Sequence, residues 1–383
     1  MALPQSPFMH VPNAVDHVVT MKVLRGWGGG SSGDTWTIAR HGDWYGVSSR
    51  YPREPYIRYV SPIGSLSVQV SRNESGSLSQ LQIRRGPQDH YESHWQRNPV
   101  KTGKTRTILG EVCEVWDVAR WRDTYGRTDA DYSCITSDGI ELAFRRLSHT
   151  GSEYFSAEAV SVERQSVLPA EVQPPPNVLD LAMWLDRSEL VEPPDARKAD
   201  VNNDYETVLR VPGEPSERIE GHDSGPLIRV RRRSGDWAYV ETGRAGGSRE
   251  LRIHNEKAGF AFSFEHRRTQ TRTGTYETVE TLSIEKPPQR IRADVLGWGG
   301  GTASGPSMTV LGEACQWFGI SRHIHGGRDE CRTPDGVVLK ERLIGRGVLE
   351  DFEAVGLRRG RVALVDVLPP QDVLAPARWG LPC

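Results

Sequence analysis

Leu109-Gly110-Glu111-Val112-Cys113 is answered in the second half of the chain by Leu311-Gly312-Glu313-Ala314-Cys315. Other words pair in the same order. Gly42-Asp43-Trp44 matches Gly235-Asp236-Trp237, and Cys134-Ile135-Thr136-Ser137-Asp138-Gly139 matches Cys331-Arg332-Thr333-Pro334-Asp335-Gly336. Glu158-Ala159-Val160 matches Glu353-Ala354-Val355, and Pro175-Pro176 with Trp184 matches Pro369-Pro370 with Trp379. Every pair lies about 193 to 202 residues apart. A fixed order at a nearly fixed offset is what one duplicated domain with small insertions leaves behind. The expected organisation is a first repeat at residues 12–188, a proline-bearing charged linker at 189–201, and a second repeat at 202–383.

Within each copy the apolar pattern has the two-residue period of a half-buried strand. Thr35 to Arg40, Leu66 to Val70, Leu227 to Arg231 and Phe260 to Phe264 all read this way. Asp138-Gly139 and Asp335-Gly336 sit between such runs as hairpin-turn signals. Helical pattern is scarce, with one or two turns expected at 177–185 and 371–379. The predicted fold is mainly β (α+β at most): two tandem copies of a curved antiparallel sheet or half-barrel with minor short helices. The paired tryptophans Trp44 with Trp237 and Trp184 with Trp379 are expected in the core. A more conspicuous word, Gly-Trp-Gly-Gly-Gly, occurs at 26–30 and 297–301, but its spacing is not that of the repeat. It reads as two unrelated glycine-rich turns, with Trp27 and Trp298 as candidate binding residues.

The chain has 383 residues, 48 basic and 50 acidic side chains, and a formal charge of -2. That length suits two cores, and no global field recruits nucleic acid or an anionic membrane. No apolar run approaches the ~20 residues of a membrane-spanning helix, and no secretory leader is legible at Met1-Ala2-Leu3-Pro4. Four of five cysteines fall at matched positions: Cys113 and Cys134 in one copy, Cys315 and Cys331 in the other. Two disulfides are the expectation, and they call for an oxidising compartment. Buried free thiols are the competing reading, and zinc is disfavoured because neither pair has Cys-x-x-Cys spacing. Cys383 has no matched partner and is expected free.

The words L-G-E-x-C, C-x-T-x-D-G and the Pro-Pro before a late tryptophan resemble those of uncharacterised exported proteins of Gram-negative bacteria. Those proteins are similar in outline to the periplasmic lipoprotein-carrier superfamily, a half-open β-barrel lidded by short helices over an apolar cavity. The matching words cover Leu109 to Trp184 and Leu311 to Trp379. The resemblance implies a periplasmic or otherwise exported protein and a lipid or amphipathic ligand. It brings no catalytic residue.

Other motifs do not hold together. Gly28-Gly29-Gly30-Ser31-Ser32-Gly33 has dinucleotide-loop spacing, but a β-like run follows where a helix is needed. Gly221-His222-Asp223-Ser224-Gly225 lacks the upstream base of a serine protease. His323 and His325 could share a strand face, yet no convergent carboxylate is evident. Arg229, Arg231, Arg232 and Arg233 read as the wet face of a strand and its turn, too poor in aromatics for nucleic acid. No catalytic residue, metal or cofactor is expected. The leading expectation is a non-enzymatic exported binding protein for a lipid or other amphipathic ligand or a protein partner. The alternative is a structural or assembly module packing its sheets on a partner.

Overall fold

The computed structural model describes residues 15–25, 34–49, 56–61, 66–86, 100–122, 128–191, 204–212, 226–244, 247–255, 257–270, 276–286, 302–323, 326–344 and 349–381. The fold is mainly β, as expected. Contacts divide the chain into two compact units: residues 1–178 with 270–277 and 379–383, and residues 179–269 with 278–378.

Unit 1 carries β1 (His17–Arg25), β2 (Thr35–His41), β3 (Trp44–Ser49), β4 (Tyr56–Ser61), β5 (Leu66–Arg72) and β6 (Leu78–Arg85). It continues with β7 (Val100–Ile108), β8 (Glu111–Arg122), β9 (Thr128–Thr136), β10 (Glu141–Leu147) and β11 (Glu153–Glu163). All its neighbours are antiparallel, in the spatial order β7-β8-β9-β10-β11-β1-β2-β3-β4-β5-β6. The first strand is thus placed against the last by a long return, while every other neighbour is a hairpin partner.

Unit 2 carries β12 (Tyr205–Arg210), β13 (Ile228–Ser234), β14 (Trp237–Gly243), β15 (Arg249–Asn255), β16 (Phe260–Gln270) and β17 (Tyr276–Glu285). After these come β18 (Thr302–Val310), β19 (Glu313–His323), β20 (Gly326–Arg332), β21 (Val338–Ile344) and β22 (Leu349–Arg359). Its ladder runs β18-β19-β20-β21-β22-β12-β13-β14-β15-β16, the order of the ten corresponding strands β7-β8-β9-β10-β11-β1-β2-β3-β4-β5 of unit 1. Alternation drives each strand to bury one face: Tyr205, Thr207 and Leu209 of β12 point inward while Glu206, Val208 and Arg210 are only partly covered.

The core of unit 1 gathers Val19, Met21, Trp36, Ile140, Leu142, Phe144 and Phe155. Trp36 stacks on Phe155 at 5.8 Å between ring centroids. The core of unit 2 gathers Leu209, Val310, Leu339, Phe352 and Ala354. Part of the sheet of unit 2 curls. Arg231 on β13 reaches Glu330 on β20 at 2.8 Å, although β12, β22 and β21 lie between them in the ladder. Laid flat, those strands would stand about 19 Å apart, too far for the two side chains to meet.

Helix is confined to short pieces: α1 (Pro169–Val172), α2 (Gln371–Leu374), α3 (Pro376–Trp379) and single turns at Leu181–Met183, Arg187–Glu189 and Leu364–Asp366. Turns therefore form in both tail segments, as the sequence pattern predicts. The backbone of α1 lies directly on β3, where a Cβ at Gly46 would collide with the Glu171 carbonyl oxygen. Trp184, Trp237 and Trp379 are buried, whereas Trp44 is half-buried.

Candidate functional site

The repeated words build a piece of scaffolding. Cys113 bonds to Cys134 and Cys315 to Cys331, each pair with Cα atoms 5.3 Å apart. In both units the bond joins neighbouring strands diagonally, because Cys113 faces Thr136 and Cys315 lies one place before the Gln316–Arg332 pair. Thr136 Oγ1 donates to Asp138 at 2.5 Å and accepts from the Ile140 amide at 2.9 Å. Thr333 does the same with Asp335 and the Val337 amide, at 2.5 and 2.9 Å. The Glu of L-G-E-x-C and the Asp of T-x-D-G then share one arginine. Arg164 binds Glu111 at 2.6 Å and Asp138 at 2.8 Å. Arg359 binds Glu313 at 2.5 Å and also Asp335. Hydrogen bonds from the arginine, ahead of the opposing burial, hold Glu111 and Asp138 below their ordinary ranges. This wiring explains why those letters recur. Arg164 and Arg359 went unnoticed in the sequence, though they too stand at the repeat offset.

At the tip of each L-G-E-x-C hairpin the two central residues have positive φ: 53° and 81° for Leu109 and Gly110, and the same for Leu311 and Gly312. With Ile108 paired to Glu111 and Val310 to Glu313, both are two-residue loops. Glycine, asparagine or aspartate normally fills such a first position. Leucine there costs about 1–2 kcal/mol, yet both leucines are also half exposed, at 51% and 50%.

The inner face distinguishes the units. Strand register places Trp36 of β2 opposite Met21 and Arg229 of β13 opposite Leu209; Met21 and Leu209 in turn face Ala159 and Ala354. Arg229 therefore occupies the place of Trp36, and Arg231 that of Ile38. By the same rule Glu341 stands where unit 1 has Phe144, Glu330 where it has Ser133, and Arg328 where it has Asp131. Two aromatic positions of unit 1, Trp36 and Phe144, are thus charged in unit 2, while the matching positions on β9 and β20 are polar in both.

The ionic layer is tightly connected. Glu341 Oε1 takes Arg229 at 2.6 Å and Arg328 Nε at 2.9 Å, and its Oε2 takes Arg231 at 3.3 Å. Glu330 takes Arg231 at 2.8 Å, Arg332 at 2.7 Å, and Arg328. Both glutamates are fully buried and Arg231 is 1% exposed. Arg229 also lies over the Phe352 ring, 4.2 Å from its centroid, and its Nε donates to Thr242 at 2.9 Å. Burial would raise the Glu341 carboxyl, but Arg229, Arg328 and Arg231 outweigh it and hold it at about 2. Glu330 is lowered by the same balance. These positions correct the wet-face reading of the basic run: Arg229 and Arg231 point inward, because acids on β20 and β21 meet them across the curled sheet.

Unit 1 has a smaller polar group beside its aromatic layer. Arg146 forks onto Asp131 at 2.5 and 2.6 Å. Glu141 accepts from Ser133, and burial pushes its carboxyl up to about 7.

Trp27, Trp298 and Cys383 lie outside the described residues, as does His325. Among the described residues no group of three or more His, Cys, Asp or Glu could hold a metal ion. Nor is any helix among them long and apolar enough to cross a membrane.

No protein-family model matches the sequence, and no curated protein matches it. Solved structures give distant likenesses. MucB in complex with MucA(peri) is 13% identical, with 73% of this chain and 89% of that one covered at a TM-score of 0.23. The Pseudomonas aeruginosa MucA/MucB complex is 12% identical, covering 72% and 90% at 0.26. An uncharacterized conserved protein from Thermus thermophilus is 11% identical, covering 43% and 88% at 0.29. TM-scores this low carry neither a shared fold nor a shared activity.

Proposed function

We propose that this chain is a non-enzymatic exported protein of two tandem β units that binds a partner protein. The observation that carries this reading is the leucine at each hairpin tip. Leu109 and Leu311 combine an unfavourable backbone conformation with exposure of about half their surface. Folding alone rewards neither property, since asparagine or glycine would enter the turn at lower cost. An exposed apolar side chain held at a rigid tip is the kind of anchor a protein partner covers. The tip is rigid because the disulfide and the Arg164 or Arg359 bridge fix the strand behind it. Two disulfides also fit an exported protein, because such bonds persist where the surroundings are oxidising.

The test is chemical cross-linking in an envelope extract of the source organism, comparing the natural protein with L109N/L311N. Proteins captured by the natural chain should be lost from the variant, although the variant folds at least as stably. Capture of the same proteins in the same yield by both would end this reading.

The same two exposed leucines also fit a second reading, in which Leu109 and Leu311 meet an amphipathic ligand in place of a protein partner. Native mass spectrometry after mild extraction checks it. A co-purifying lipid, or saturable uptake of a fluorescent fatty acid, would support the ligand; neither would remove it.

A further inference from the structure

We propose that His17 is an acid-sensitive latch of unit 1: protonation of its buried imidazole loosens the Arg164 bridge behind the Leu109 tip, while unit 2, with Tyr205 in that place, stays locked. What the latch controls rests on the partner reading above; the latch itself does not.

Strand register gives the two residues the same surroundings. His17 of β1 lies opposite Arg40 of β2, and Tyr205 of β12 lies opposite Arg233 of β13. On the other side Tyr205 pairs with Arg359, and the β1–β11 ladder starts with Val18 against Glu163, one step short of His17 and Arg164. Arg40 and Arg233 play one part in their units: each donates from Nε to the carbonyl of the turn glycine, Gly42 at 3.0 Å and Gly235 at 3.2 Å. Both His17 and Tyr205 are 3% exposed. One buried place flanked by two arginines thus holds an imidazole in unit 1 and a phenol in unit 2. The fold therefore accepts there a group that gains no positive charge.

The groups around His17 oppose a second proton. Its Nδ1 donates to the Val15 carbonyl at 2.9 Å, so that proton goes to Nε2 and makes a buried cation. Arg40 on β2 and Arg164 after β11 bring like charge, and Asp138 in the β9–β10 turn brings the opposite one. Asp138 is already engaged by Arg164 at 2.8 Å and by Thr136 at 2.5 Å. Asp16, the preceding residue, is engaged by His41 at 2.7 Å. Burial first, then Arg40 and Arg164, outweigh the Val15 bond and Asp138, and hold the imidazole below its ordinary 6.5. Burial pushes Tyr205 above its ordinary 10, so the phenol is neutral throughout the acid range.

Arg164 connects this histidine to the tip. It ties Glu111, two places past Leu109, to Asp138. A buried imidazolium is relieved in two ways. Asp138 turns from Arg164 to His17, or His17 leaves for water and draws the start of β1 from the end of β11. Both undo the bridge, and the Leu109 hairpin loses its brace. The sign follows from the lowered value: the locked form is complete above about pH 6.5 and is lost as pH falls through the folded value. An exported protein, as proposed above, meets the pH of its surroundings, and histidine is the side chain that titrates in that range.

Hydrogen–deuterium exchange of the whole protein, read by mass spectrometry and corrected for the pH dependence of the intrinsic rate, tests the latch. Each pH unit below 6.5 favours the opened, protonated form about tenfold until the folded value is reached. Between pH 7 and pH 5, exchange in peptides covering residues 105–115 and 160–166 should therefore quicken about tenfold, while residues 307–317 and 355–361 change less than about twofold. H17Y should remove the acid response of unit 1, and Y205H should install one in unit 2. If one variant does not fold, the other gives the reading. The latch falls if the two units respond alike, if folded H17Y keeps the response, or if folded Y205H gains none. No partner enters this measurement, so it stands or falls apart from the capture experiment with L109N/L311N.

Discussion

Replacing Glu341 by glutamine removes one charge from the ionic layer while keeping the shape of the side chain and one of its two acceptor oxygens. The buried carboxylate meets Arg229 at 2.6 Å, Arg328 at 2.9 Å and Arg231 at 3.3 Å. Those arginines hold the carboxyl at about 2 against an ordinary 4.5. At 1.36 kcal/mol for each unit, the folded protein favours the charged form by about 3 kcal/mol. Glutamine imitates the protonated form, so E341Q should lose about 3 kcal/mol at pH 7. Removing one partner of a buried ion pair costs about 3–5 kcal/mol in general. The pH dependence gives a second readout of the same shift. The folded value lies below the unfolded one, so the contribution is complete above about pH 4.5 and fades as pH falls toward 2. Urea unfolding followed by tryptophan fluorescence, at pH 7 and again near pH 3, measures both. A loss under 1 kcal/mol at pH 7 would refute the layer as drawn. So would a gap between the two proteins that stays constant down to pH 3.

Denatured, non-reduced protein should give one reactive thiol, Cys383, with the other four cysteines bonded. Closing 21-residue and 16-residue spans, each disulfide should add about 3 kcal/mol, readable as the drop in stability of C113A/C134A or C315A/C331A. Five reactive thiols would remove both the bonds and the export argument. Glu141, pushed up to about 7, has the opposite sign to Glu341: its folded value is raised, so stability is complete below pH 4.5 and declines as pH rises through 7. E141Q should flatten that decline, and an unchanged slope would show the carboxyl to be ordinary. L109N should raise stability by about 1 kcal/mol by relieving the turn; a loss of stability would mean the leucine is buried within the fold. G46A forces a methyl group onto the Glu171 carbonyl and should cost about 1–3 kcal/mol, whereas a neutral result would place α1 away from β3.

Much of the scaffold could be read from letters because its chemistry is local. Thr136, Asp138 and Gly139 close a turn within four residues, and Cys113 needs only the neighbouring strand. The ionic layer depends on strands far apart in sequence. Ile228-Arg229-Val230-Arg231 alternates as a strand should, and alternation alone does not say which face is wet. The information was nevertheless present at the matched positions. An aromatic residue becomes an arginine at 229, and another becomes a glutamate at 341. Opposite charges entering together at two formerly apolar places mark a buried contact, provided the register is known. The register came from the strand pairs and not from the words.

The two units therefore separate what the fold needs from what it leaves open. Disulfide, threonine-aspartate turn, bridging arginine and leucine tip recur in both, and all of them lie along one hairpin pair and the strand that follows it. The inner face beside them recurs only in part: it holds stacked rings and one Arg146–Asp131 pair in unit 1, and a network of six charged side chains in unit 2. An ionic layer is tolerated only where the remaining structure is stable enough to offset its desolvation. The cross-links lie on strands β19 and β20, and β20 also carries Glu330, Arg328 and Arg332. Tying that strand down holds three of the six charges in register. On this argument the ionic layer should be more sensitive than the aromatic one to loss of its disulfide: C315A/C331A should steepen the acid unfolding of unit 2, while C113A/C134A leaves the acid response of unit 1 unchanged in shape.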